Sequence, residues 1–181
     1  MKVLVAYASR HGSTKGIAQR VATTLTQCGH ETTLRRADEV GDIGRHDAFV
    51  IGGSAYFFHW AKEPTRLVRR HAPMLSHRPT WLFSSGPLGT DKVDAQGRDV
   101  LAASVPREFA ELEPLIQPRG VRIFFGAHDP TAKPVGVLER ITRMMPAARD
   151  ALPAGDFRDW TAIDEWARGI GAELAAAETG A

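Results

Sequence analysis

Ser9, Arg10, His11, Ser13 and Thr14 crowd one turn of this sequence, with Gly12 among them, in the stretch YASRHGSTKG (7–16). The turn follows a short apolar run, KVLVAY (2–7), and precedes a periodic segment, IAQRVATTLTQCG (17–29), so it joins a strand to a helix. One cap hydroxyl and one glycine suffice for such a turn. The surplus of donors points to an anion. Backbone N–H groups at a helix N-terminus aim outward, and the helix dipole favours negative charge there. The hydroxyls of Ser9, Ser13 and Thr14 add donors, and together they suit a phosphate. A helix capped by Ser9 or Ser13 is the plainer reading. The stretch does not follow G-x-x-x-x-G-K-[ST], and G-x-G-x-x-G is absent, so ATP and NAD match this loop poorly.

A second group lies at GGSAYFFHW (52–60), where Tyr56, Phe57, Phe58, His59 and Trp60 follow a glycine pair. Aromatic side chains normally bury large areas, yet these fall where a loop is expected. A flat aromatic ligand stacked on one of them accounts for the cluster, while others fold under as core. His59 and Trp60 suit either substrate contact or packing on the next helix. The third group, SSGPLGTDK (84–92), is marked by glycine and proline and suits presenting backbone amides to the polar edge of the same ligand. A phosphate at one end and a planar ring at the other describe flavin mononucleotide (FMN). Asp129, beside His128, reads as a cap for the following segment.

These groups need a scaffold, and two hydrophobic periods alternate along the chain. Near-continuous apolar runs at 2–7, 47–53, 80–86 and 121–127 suit strands buried on both faces, and the less apolar ETTLRR (31–36) suits an edge strand. Helical spacing appears at Ile17–Leu25, with Cys28 extending that face and Gly29 as its stop. It recurs after Pro64 at Leu67, Val68, His71 and Leu75, and over 98–113 at Leu101, Val105, Phe109 and Leu112. Further helices are expected from Pro134 through Met145 and from Trp160 to Leu174, the latter capped by Asp159. The connection over 37–46 is too short for a regular helix. The alternation predicts one α/β domain over 1–176, a five-stranded parallel sheet with helices on both faces, and a frayed tail at 177–181. In such a sheet ligands bind beyond the carboxyl ends of the strands, where all three groups fall.

S-x-x-G-S-T (Ser9 to Thr14) after a first strand resembles the flavodoxin phosphate loop, usually T-x-T-G-x-T, with His11 where a hydroxyl is frequent. VIGGSAYFFHW, KEPTRLVRRHAPML and GDFRDWTAIDEWA resemble the flavodoxin-like group that includes menaquinone-dependent protoporphyrinogen oxidases. The resemblance implies a flavodoxin-like three-layer sandwich of strand order 2-1-3-4-5 and non-covalent FMN. It implies that Ser9, Arg10, His11, Gly12, Ser13 and Thr14 surround the phosphate. Ser54, Ala55 and Tyr56, with Phe57 or Phe58, would flank one side of the ring, and Ser85, Gly86, Pro87 and Gly89 would border the other. No catalytic acid or base is implied, since the cofactor carries the chemistry.

Composition narrows the function classes. Lys and Arg number 23 against 21 Asp and Glu, a net charge of +2, too weak for a nucleic-acid footprint. Cys28 is the single cysteine, so neither an internal disulfide nor a cysteine metal cluster forms, and no metal site is expected. The first apolar run is too short for a leader or membrane span, which predicts a cytoplasmic protein. A receiver-type domain needs a phosphorylatable Asp after strand three, where Gly52 and Gly53 stand. The reading is an FMN-dependent oxidoreductase, protoporphyrinogen oxidase-like with a quinone acceptor. Its alternative is a flavodoxin-type electron carrier serving a redox partner protein; carrier flavodoxins are typically acidic, and this chain is not. Arg66, Arg69, Arg70, His71 and Arg78 read as a solvated helix face, or as an attractor for substrate carboxylates or an anionic membrane surface.

Overall fold

The computed structural model describes residues 1–132 and 153–179. Five parallel strands form the sheet: β1 (Lys2–Ala8), β2 (Glu31–Arg36), β3 (Ala48–Tyr56), β5 (Thr80–Ser85) and β6 (Gly120–Phe124). They lie in the spatial order β2-β1-β3-β5-β6, with a two-residue strand β4 (His59–Trp60) pairing antiparallel to β3. With β4 set aside this is the expected 2-1-3-4-5 order. Alternation along the strands divides the core. Val3, Val5, Val50, Trp81 and Phe83 face α1 (Ser13–Gln27) and a C-terminal helix, α5 (Trp160–Thr179). Leu4, Ala6, Phe49, Ile51 and Leu82 face α2 (Lys62–Leu75) and α4 (Phe109–Ile116). Strands sandwiched this way must be apolar on both faces, whereas β2, covered on one side by α1, is only half-buried.

No regular helix joins β2 to β3. A 3-10 turn (Ala37–Glu39) leads into Val40 and Ile43, whose side chains are buried against α2. The carbonyls of this connection are tied from outside it. Arg70 donates to the Val40 carbonyl, and Arg78 donates to those of Gly44 and His46. Arg69 pairs with Glu111 of α4 at 2.6 Å. Three cations read as a wet face therefore hold backbone and a neighbouring helix.

Other differences have local causes. The single helix expected over 98–113 is two, α3 (Val100–Ala103) and α4, because Pro106 lacks an N–H and cannot continue the first; Val105 is consequently exposed. Helix α1 ends before Cys28, which sits at its C-cap and is exposed, with Gly29 at φ 92° completing the stop. In α2, Ala72 rather than His71 joins the buried stripe. The final strand divides into β6 and β7 (Ala127–His128), and β7 pairs with β8 (Gly155–Asp156). Helix α5 runs through Thr179, so residues 177–179 are not a frayed tail; Glu178 accepts from the Met1 ammonium at 2.6 Å. The helix expected over Pro134–Met145 lies outside the described residues.

Helices α1 and α5 are joined by an ion pair in which Asp164 is buried and Arg20 half-exposed. Arg20 donates two bonds to Asp164, at 2.7 and 2.5 Å, and Thr24 adds a third at 3.0 Å. These Arg20 bonds outweigh desolvation and hold the Asp164 carboxyl down to about 2. A carboxylate depressed in the folded state stabilises fully above its unfolded value, near pH 4, and that contribution is lost as pH falls through about 2. The expected loss is about 1 kcal/mol, discounted because Arg20 is half-exposed. Asp164→Asn should flatten the acid limb of a urea-melt series between pH 4 and 2; an unchanged limb contradicts the assignment.

Candidate functional site

Three loops converge at the carboxyl edge of the sheet. Gly12 adopts the left-handed conformation at φ 87° as N-cap of α1, and its N–H donates to Ser9 Oγ at 3.1 Å. A glycine has no side chain to offer, and α1 carries no side-chain cap bond and no acidic residue in its first turn. The outward N–H groups of that turn, which have no partner within the helix, are left for an external acceptor. Helices α3 and α5 are capped instead, by Asp99 and Asp159. The plainer reading, a helix capped by Ser9 or Ser13, does not hold.

The hydroxyls are arranged differently from the expected cage. Ser13 Oγ accepts from the Ala127 N–H at 2.9 Å, which keeps its own O–H free to donate. Thr14 Oγ1 is buried and shares a 2.7 Å bond with Ser85 Oγ, so one of that pair retains a donor. Both bonds also fasten α1 to the sheet edge, one to the end of β5 and the other to β7. An anion here would be held mainly by backbone N–H groups, with Ser13 assisting.

The aromatic group sorts cleanly. Trp60 is core: its ring is 3% exposed, meets Phe109 edge-on at 4.9 Å, and donates to the Gly53 carbonyl. Tyr56, Phe57 and Phe58 are exposed. Strand β3 runs three residues further than its apolar pattern suggests, so Ser54, Ala55 and Tyr56 lie on it, and Phe57–Phe58 form the tip of the β3–β4 hairpin. Both Phe residues have positive φ, 50° and 64°. Two-residue hairpins favour that backbone, and Asn-Gly is its usual sequence. For a bulky residue it costs about 1–2 kcal/mol. Phe58→Gly should therefore raise stability by about 1 kcal/mol, measured by thermal unfolding; a lower midpoint contradicts the strain.

Loops one and two meet where the Arg10 guanidinium lies 4.8 Å over the Tyr56 ring. Loop three meets loop two at Gly86, where a Cβ would stand 3.1 Å from the Ala55 carbonyl. It meets the end of β6 through Gly126 N–H to the Pro87 carbonyl, 2.8 Å, and Gly89 turns at φ 105°. Ser9 through Thr14, Ser54 through Phe58, and Ser85, Gly86, Pro87 and Gly89 thus share one edge, as a phosphate, a flat ring and a polar ring edge require. The residues fit FMN.

Two contributors went unseen in the sequence. Glu108 latches the hairpin, accepting from Trp60 N–H at 2.8 Å and pairing with His59 Nδ1 at 3.0 Å, while Arg107 N–H donates to the Phe58 carbonyl. Burial raises the Glu108 carboxyl, but the bonds from Trp60 and His59 outweigh it and hold it below the usual carboxylate range. Arg158 donates to the Ser13 carbonyl, lies 4.4 Å over Trp160, and forms a fork with Asp156. Those Arg158 bonds hold the Asp156 carboxyl low. Asp129 accepts from the Thr131 N–H and hydroxyl in a local turn, and the segment it is expected to cap lies outside the described residues. Among the described residues no group of His, Cys, Asp or Glu is placed to hold a metal ion.

The chain is an α/β protein with these loops at the switch point of its sheet, where ligands bind in folds of this kind. The flavodoxin domain matches residues 4–142, and the chain belongs to that family. A curated relative is the protoporphyrinogen IX dehydrogenase [quinone] of Escherichia coli K12, 27% identical over 86 residues. The match takes in 46% of this chain, and the chain spans about half, 48%, of that relative. Among solved structures, a cysteine-to-serine mutant of flavodoxin from Pseudomonas aeruginosa superposes with TM-score 0.57 at 13% identity, over 97% of this chain and 99% of that one. Rubredoxin oxygen:oxidoreductase from the anaerobe Desulfovibrio gigas gives TM-score 0.59 at 14% identity, over 97% of this chain and 36% of its own length. These likenesses show the fold. The family implies a capacity for FMN and a redox role.

Proposed function

We propose that the chain binds FMN non-covalently across the three loops and works as a cytoplasmic electron carrier between redox proteins. The observation that carries this is the uncapped N-terminus of α1 facing the same edge as the exposed Tyr56–Phe58 hairpin. In this reading, N–H groups of the first turn of α1 and Ser13 hold the phosphate, and Tyr56 with one of Phe57 or Phe58 covers the ring. Gly86 and Gly89 let backbone amides reach the ring's polar edge. When bound, the flavin supplies one- and two-electron chemistry; the chain positions it and leaves an edge accessible.

A second reading, an oxidoreductase acting directly on a quinone or porphyrinogen, draws support from charge. The net charge of +2 lacks the acidic field that steers carriers to basic partners, and Arg10 and Arg107 flank the hairpin. The curated relative's name points the same way. Rapid mixing separates the two. Photoreduced holoprotein reoxidised only when a redox protein is added supports the carrier, whereas saturable reoxidation by a soluble quinone alone establishes the oxidoreductase.

A further inference from the structure

Strand β2 is an open edge of the sheet, paired with β1 on one side and with no strand among the described residues on the other. Glu31 N–H donates to the Met1 carbonyl at 3.0 Å, so Glu31, Thr33 and Arg35 spend their backbone groups on β1. Successive residues of a strand aim these groups to opposite sides. The N–H and C=O groups of Thr32 and Leu34 therefore point away from the sheet. Open edges are commonly blunted by proline or a bulge. Strand β2 has neither, and its register with β1 is unbroken from Glu31 to Arg36. No helix joins β2 to β3, so the face bearing Glu31, Thr33 and Arg35 is open too, along a groove of about 550 Å³.

The sequence ETTLRR (31–36) complements itself. Set two copies antiparallel about a two-fold axis at Thr33. Thr32 of each copy then faces Leu34 of the other, and each such pair exchanges backbone hydrogen bonds. Glu31 of each copy stands opposite Arg35 of the other, in the non-hydrogen-bonded positions where side chains come closest. Both residues are exposed; Glu31 reaches Lys2 only at 3.8 Å, and Arg35 forms no ion pair among the described residues. Moving the axis to Leu34 opposes no charges of unlike sign, and Arg36, the other cation, is already held by Asp38 at 2.9 Å. Helix α1 fits the same partner. Thr26 Oγ1 shares a 2.7 Å bond with Thr32 Oγ1, so that flank of the helix stands over the edge. Gln19, Thr23 and Thr26 recur along it at helical spacing, all exposed and none charged. We propose that the chain pairs with a second copy of itself through β2, edge to edge and antiparallel, joining the two sheets into one. An edge strand alone falls short of the roughly 800 Å² per partner of a stable interface, and the paired flanks of α1 add to it. The carboxyl edges of the two sheets then point in opposite directions, which leaves both candidate sites open. This pairing does not depend on FMN.

The test is sedimentation velocity of the purified full chain. Wild type should sediment as a dimer and Thr32→Pro as a monomer. Proline at this position removes only an outward N–H and is tolerated on an edge strand, so thermal unfolding should show the variant folded. Glu31→Arg should weaken the dimer about tenfold or more, because like charges then oppose each other at both ends of the pairing. The exchange E31R/R35E should restore it, which a merely structural role of Glu31 would not allow. In a C28S background, Thr33→Cys should give a covalent dimer on oxidation, since residues opposed at such a position lie about 4.5 Å apart at Cα; Arg35→Cys should not. A wild type that stays monomeric at millimolar concentration overturns the proposal. So does a dimer that Thr32→Pro leaves intact, one that the charge exchange fails to restore, or cross-linking through Arg35→Cys as readily as through Thr33→Cys.

Discussion

Ser13→Asp should leave the chain as stable as the wild type or slightly more so, and should weaken FMN binding by at least about a hundredfold. The two effects have opposite signs because they act on the same N–H groups. The first turn of α1 has no side-chain cap and no acid, and a carboxylate there interacts favourably with the helix N-terminus by about 0.3–1 kcal/mol. The new carboxylate can also accept the Ala127 N–H that Ser13 Oγ takes at 2.9 Å, so the tie to β7 survives. For a bound phosphate the same charge is a competitor and a repellent. Two unit charges about 4 Å apart near a protein surface repel by about 4 kcal/mol. Flavin fluorescence titration reads the affinity and thermal unfolding reads the stability. If both fall together, Ser13 is only structural; if neither changes, the phosphate lies elsewhere. Ser13→Ala should cost binding far less, because backbone groups rather than this hydroxyl carry most of the contact.

The largest loss of stability is expected from Gly52→Ala. Gly52 lies in the centre of β3, in register with Phe83 of β5, and a Cβ there would overlap the Phe83 ring. That ring is fully buried, edge-on to Phe124 and Trp166, and has nowhere to retreat. Overpacking a core costs about 1–3 kcal/mol and more where the neighbour cannot move; about 3 kcal/mol or more is expected here. Shortening the obstacle should recover part of it, so Gly52→Ala with Phe83→Leu should be more stable than Gly52→Ala alone. Chemical denaturation of the four proteins forms the cycle. A double variant no better than the single one would mean that the strain lies in the backbone and not against the ring. Gly53 is constrained in a parallel way by Trp60 and Pro64 on the opposite face. The glycine pair at the middle of this strand therefore serves packing.

What could be read from the residues follows how local each signal is. The turn at Ser9–Thr14 was legible because a strand, a glycine and a helix with its own period stand side by side, and surplus donors at such a point have few uses. The edge character of β2 followed from runs apolar on both faces against one that is not, and the sheet order came from the family resemblance. The β3–β4 hairpin was illegible because Phe57 and Phe58 contradict the turn chemistry that announces a hairpin; the backbone is imposed by Glu108 and Arg107, some 50 residues away. The break between α3 and α4 was written in Pro106, but the apolar spacing from Leu101 to Leu112 ran through it. Arg70 and Arg78 looked like solvated charge because their partners are backbone carbonyls, which leave no mark in a sequence. Arg158 reaches α1 from beyond β8, and nothing in GDFRDW announces that contact.

The central claim is that the uncapped start of α1 holds a phosphate while the aromatic hairpin covers a ring. It is tested most directly by titrating the flavin-free chain with FMN and with riboflavin under the same conditions. The two ligands share the ring and the polyol and differ by the phosphate alone. Both ligands should quench flavin fluorescence, with FMN bound at least about a hundredfold more tightly, a difference of about 2.7 kcal/mol. Equal affinity for the two, or no binding of FMN at millimolar concentration, would contradict it.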